Sequence, residues 1–228
     1  MKKRPLDELL DKKEPAWPTV CEWTRKATNH VEVLPPDPAR RADTLVSIQV
    51  TTRSPMGAIV YESGGMLVDH GWLRILGSGH PRLPRSLADW NRERGMTDEA
   101  APPSALLVAD DVLGGFLALN GGAFPSKPGS VFYFAPDSLD WEDMTMGYSD
   151  FVAWALSGNL DKFYETSRWP GWPEEVSAVP GDRAIMIYPF LWAKGDRIAD
   201  RSRRAVPVAE LFDLQMHLRS QMGSANQE

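Results

Sequence analysis

The sequence predicts an α+β fold in a single domain, residues 1–228, with a central mixed or antiparallel sheet and helices at both ends. Three observations carry this. Short apolar runs bounded by glycine and proline crowd the middle of the chain, between Met66 and Phe134. Segments of helical period, several with capping residues, lie toward the two termini. No internal repeat, low-complexity tract or composition break divides the chain. A hydrophobic fraction of 43% against 25% charged residues is that of an ordinary globule, and 228 residues bury a core without staples.

The first 50 residues form a helical N-terminal extension. Leu6, Leu9 and Leu10 share helical spacing, and Asp7 and Glu8 suit a first turn after Pro5. Pro15 and Pro18 break that helix, and Thr19 to Asn29 predicts a second with Val20, Trp23 and Ala27 on one face. Val31–Leu34 is a short extended run stopped by Pro35-Pro36. Asp37 is placed to cap the next helix, with Pro38 in its first turn and Leu45, Ile48 and Ala42 facing inward.

The sheet-containing core, residues 54–190, opens with Ser54 as N-cap and Pro55 at the first helical position. That helix runs to Ser63, although its Ala-Ile-Val-Tyr segment also has strand propensity. Met66–Val68 and Trp72–Leu76 are strands around a His70-Gly71 turn, and Ser86–Asn91 is a short helical turn. Residues 92–104 predict a mobile connection. Ala105–Val108 is the next strand, with Asp110-Asp111 as its turn, and Gly115–Leu119 follows. Val131–Phe134 is apolar on both faces, which predicts a central, covered strand. An acidic turn bearing Trp141 spans Asp137 to Asp143. Ser149 caps a helix closed by Gly158, Leu160–Tyr164 adds another turn, and Arg-Trp-Pro-Gly-Trp-Pro from Arg168 makes a corner. Asp182–Tyr188 is the last strand, and Arg201–Arg204 lies in a polar loop. Residues 205–222 carry a C-terminal helix with Leu211 and Leu218 at helical spacing.

Composition excludes several functions. Acidic residues outnumber basic ones, 31 to 25, which argues against the basic footprint of a nucleic-acid binder. Cys21 alone allows neither an internal disulfide nor a multi-cysteine zinc site and suits a reducing compartment. No signal peptide or apolar run of membrane-spanning length is present, so a cytoplasmic protein without membrane contact is expected. Asp69, His70, His80 and Asp110 could ligate a metal or perform acid–base work, but their spacing matches no metal motif. Turn caps and structural hydrogen bonds account for them more simply, so no metal ligand, catalytic residue or cofactor is assigned. The Gly-Gly pairs lack a following Lys-Ser/Thr, and Gly77-Ser78-Gly79 with His80 is not a nucleophile elbow. Asp137, Asp140, Trp141, Glu142, Asp143 and Trp172 form the other candidate set: aromatic anchors rimmed by carboxylates suit a protein partner with a basic face.

Several longer stretches, among them ATNHVEVLP from Ala27, DHGWLRILGSGHPRLPRSL from Asp69, VFYFAPDSLDWE from Val131 and RWPGW from Arg168, resemble a bacterial family known as domain of unknown function 2625. The resemblance runs from about Leu6 to Leu218 and brings no activity with it. A more distant likeness is to the SUKH superfamily, many of whose members are immunity proteins that neutralise toxins. Ser54-Pro55 to Gly65, Gly114–Leu119, Val131–Asp137 and Tyr148–Leu156 carry it in that order. It implies a bent sheet flanked by helices, and binding rather than catalysis. The expectation is therefore a non-enzymatic protein-binding module, immunity-like, whose partner is a toxin with a basic face. The alternative is a small-molecule or metal-dependent enzyme built on Asp69, His70, His80 and Asp110.

Overall fold

The computed structural model describes residues 3–96 and 104–225. Helices α1 (Leu6–Leu9) and α2 (Trp17–Lys26) precede β1 (Val31–Leu34), and α3 (Arg41–Ile48) and α4 (Pro55–Glu62) lead to β2 (Gly65–Val68) and β3 (Leu73–Leu76). Helix α5 (Leu87–Glu93) follows, then β4 (Ala105–Asp111), β5 (Phe116–Asn120), β6 (Ser130–Ala135) and β7 (Asp140–Gly147). Helices α6 (Tyr148–Ser157), α7 (Leu160–Phe163) and α8 (Trp172–Ser177) lead to a β8 (Arg183–Tyr188) and β9 (Ser202–Pro207) hairpin and the closing helix α9 (Val208–Ala225).

Strands β1 to β7 form one antiparallel sheet whose spatial order is the chain order. Every connection therefore joins neighbours, and β1 and β7 are the two edges. Register decides which side chains share a face. Leu67, Arg74, Asp110, Phe116, Phe134 and Trp141 are paired in succession across the sheet and lie on one face. Trp90 of α5 and Phe212 of α9 pack on Phe116 from that side. Tyr133 lies on the opposite face, where Phe163 of α7 meets it edge-on. Strands β2 to β6 are thus buried almost throughout.

Capping chemistry places several helices. Ser54 Oγ accepts from the Gly57 N–H at the expected N-cap, and Ser86 Oγ accepts from the Asp89 N–H as the N-cap of α5. Pro18 does not break a helix: α2 starts at Trp17, so Pro18 sits in the first turn, where a missing N–H costs nothing. Asp37 caps a turn ahead of α3, its Oδ1 accepting from the Ala39 N–H, and Arg40 holds the N-cap position. Helix α6 starts at Tyr148 with Gly147 as N-cap, so Ser149 lies inside it.

Four expectations about strands need correction. The acidic segment is a turn only as far as Leu139, whose N–H donates to the Ala135 carbonyl; from Asp140 it is the edge strand β7. Asp110-Asp111 is no turn but the buried end of β4, and the turn lies over 112–115. Strand β6 is covered but is sixth of seven, not central. Arg201–Arg204 is no free loop, because Ser202 to Arg204 open β9, which pairs with β8. The connection expected over 92–104 lies partly outside the described residues, at 97–103. No helix among the described residues is long and apolar enough to cross a membrane.

Candidate functional site

The acidic candidates gather on β7 and the turn before it. Asp137, Asp140, Glu142 and Asp143 are exposed. Asp140 Oδ1 accepts from the Trp141 N–H at 2.9 Å and pairs with Arg219 Nη2 of α9 at 3.0 Å. The Arg219 bond, then the Trp141 N–H, hold this carboxyl below the usual carboxylate range. Asp143 Oδ1 accepts from the Thr145 N–H at 2.7 Å. Trp141 is half-buried, its ring 5.0 Å from that of Phe124 and 5.3 Å from that of Phe134. It anchors the strand to the sheet more than it projects from it.

Trp172 belongs elsewhere, with two residues of the Asp/His set. The β2–β3 turn runs through Asp69, His70 and Gly71 with φ of 53°, 61° and 86°. Asp69 pairs with the Arg168 guanidinium, which also pairs with Asp161. Arg168 lies 4.1 Å above the Trp172 ring and 5.0 Å from that of Trp72. His70 stacks flat on His30 at 4.5 Å and meets Trp172 edge-on at 5.9 Å. Arg168 therefore brings Asp69, His70 and Trp172 into one neighbourhood. It is the residue that sequence reasoning misses here, although it opens the Arg-Trp-Pro-Gly-Trp corner.

His80 and Asp110 take other partners. His80 Nδ1 accepts from the Arg82 N–H at 3.1 Å, and the His80 backbone pairs with Leu83. Asp110, fully buried, holds two arginines: Arg85 Nη1 at 2.8 Å from Oδ2 and Arg74 Nη1 at 3.6 Å from Oδ1. Arg85 also donates to the Gly181 carbonyl, and Arg74 to the carbonyls of Gly71 and Arg183. Burial lowers the Arg74 pKa to about 10. No group of three or more metal-ligating side chains forms among the described residues.

Asp111 points to the other face. Its Oδ1 accepts from the Leu113 and Gly115 N–H groups, both at 2.9 Å, and its Oδ2 from the Tyr133 hydroxyl at 2.7 Å. Burial pushes the Asp111 carboxyl up, against the opposing pull of these three donors, and pushes Tyr133 well up as well. With three donors on it, this carboxyl clamps the β4–β5 turn to β6.

The comparisons add kinship but no activity. A family model described as "Protein of unknown function DUF2625" matches residues 6–211. The uncharacterised Escherichia coli K12 protein YbfG is 45% identical over 216 residues, covering 95% of this chain and 97% of its own. An uncharacterised protein of Haemophilus influenzae is 40% identical over 186 residues, 82% of each chain.

Proposed function

We propose that the chain, which belongs to the DUF2625 family of proteins of unknown function, is a non-enzymatic protein-binding module that meets a basic partner through the acidic edge of its sheet. One observation carries the reading. Strand β7 is a sheet edge whose exposed side chains are Asp140, Glu142, Asp143 and Thr145, with Asp137 just before it. Glu142 and Asp137 enter no ion pair among the described residues, so their charge is available to a partner. The Asp140 and Asp143 carboxylates turn back onto N–H groups of their own strand. That opposes addition of a foreign strand and favours recognition through side chains. The distant likeness to immunity proteins supports a toxin with a basic face as the partner, met in the cytoplasm. Trp172 packs against His70 and Arg168 instead, so the proposed surface is built without it.

The test is affinity capture with the full chain, at low and at high salt. A Asp137→Lys/Glu142→Lys double variant is compared with a Glu8→Lys/Glu165→Lys control of equal charge change. The partner is expected to be lost with the double variant and at high salt, and kept by the control. Equal recovery by wild type and the double variant, or no protein retained by wild type above background, overturns the reading.

A further inference from the structure

We infer that the cleft between the β2–β3 turn and the 178–182 connection binds a small organic monocarboxylate. The cleft has a volume of about 290 Å³, the size of a small-ligand pocket. Leu67, Val176 and Pro180 give it apolar walls, while Arg74, Arg82 and His70 supply the cationic and polar lining. Arg74 is the informative residue. Its side chain is 1% exposed, and its Nη2 is buried with no hydrogen-bond partner. Its ion pair to Asp110 is loose, at 3.6 Å, because Asp110 gives its closer contact to Arg85. Asp110 Oδ1 makes no hydrogen bond either. Two buried guanidiniums thus share the Asp110 carboxylate at close range, with Asp111 and Asp182 acting on Arg74 from farther off, and a buried guanidinium nitrogen left without a partner attracts an anion.

The chemistry of the walls narrows the ligand. One free guanidinium edge suits a planar carboxylate as a single point of contact. The neighbouring Asp110 carboxylate disfavours a doubly charged phosphate. Apolar residues on the rest of the lining suit an aromatic or branched hydrocarbon attached to that carboxylate. Arg82 lies at the mouth, paired with Glu32 on the surface, and adds attraction at entry. This site is separate from the β7 edge, so its failure leaves the protein-binding reading untouched.

Thermal unfolding of the full chain with benzoate, phenylacetate, acetate, inorganic phosphate and sodium chloride at matched ionic strength decides the matter. Benzoate or phenylacetate is expected to raise Tm by about 5–10 °C at a hundredfold excess over its Kd. Acetate should do less, and chloride nothing. Val179→Trp puts a larger side chain into the cleft while keeping the Arg74 guanidinium and should abolish the shift. Arg82→Ala should weaken binding about two- to fivefold by calorimetry. No carboxylate response above chloride, a larger response to phosphate, or a full response in folded Val179→Trp each overturns the assignment. Should Val179→Trp fail to fold, an unchanged Kd in Arg82→Ala overturns it instead. An ordered water bridging Arg74 to Asp110 would give the flat, chloride-like result.

Discussion

Asp110 and Asp111 are adjacent in sequence and enter opposite interiors. Successive side chains on a strand alternate faces, so one carboxylate meets Arg74 and Arg85 while the next meets Tyr133. An Asp-Asp pair after an apolar run carries a turn signal, which is why the sequence points to a loop here. The better signal is Arg74, a charged residue inside the apolar run Leu73–Leu76, since a buried cation demands a buried anion opposite. Gly115 shows how tightly the Asp111 clamp is built. A Cβ on Gly115 would stand 2.0 Å from Asp111 Oδ2 and 2.5 Å from the Tyr133 hydroxyl oxygen. Gly115→Ala must therefore displace one of them, and overpacking of this kind costs about 1–3 kcal/mol. Urea unfolding should show a lower midpoint with an unchanged slope, and an unchanged midpoint would mean that the clamp yields freely.

At the scale of elements, what is legible follows from local rules, and what is hidden depends on partners distant in sequence. Helix α4 declares itself by its Ser N-cap, and strands β2 to β6 by apolar runs between turn residues. Strands β7 and β9 do not, because Asp-Trp-Glu-Asp and Ser-Arg-Arg lack the β-branched residues that mark a strand. Pairing with β6 and β8 makes them strands, and a single sequence does not show that pairing. The candidate residues divide the same way. The carboxylates of β7 are recognisable as an acidic surface in the sequence. The meeting of Asp69, His70 and Trp172 is not, since Arg168 joins segments about a hundred residues apart through an ion pair and a stacked ring. Helix α9 is predicted by its period, and its packing can be weighed. Phe212 is 5% exposed, with its ring 4.8 Å from that of Phe116 and 6.0 Å from that of Trp90. Phe212→Ala is expected to cost about 3–5 kcal/mol, seen as an earlier denaturant transition in Trp fluorescence. A loss under about 1 kcal/mol would show that α9 does not seal that face of the sheet.

For the whole molecule, pH sets two groups of carboxylates against each other. Asp140 is held low by its bond to Arg219, and Asp89, despite a burial cost, by bonds to Ser86, Arg40 and Arg92. Their contribution is present above the unfolded carboxylate pKa of about 4 and is lost as pH falls through their folded values. Asp111 works in the opposite direction, because burial raises its folded pKa above the unfolded one. Below about pH 4 both states hold that proton, and the Asp111 contribution is complete. As pH rises, the unfolded chain releases the proton first, so stability drains away by up to about 1.4 kcal/mol per pH unit until the folded carboxyl ionises as well. Asp111→Asn removes the titration and can keep the geometry: its carbonyl oxygen accepts from the Leu113 and Gly115 N–H groups, and its amide donates to the Tyr133 oxygen. The low-pKa carboxylates are common to both proteins and cancel in the difference. Unfolding free energies measured in urea from pH 4 to pH 8 should show wild type losing ground to the Asp111→Asn variant as pH rises. A difference that stays flat across that range would mean that the three donors on Asp111 outweigh its burial, and that the clamp holds an ionised carboxylate throughout.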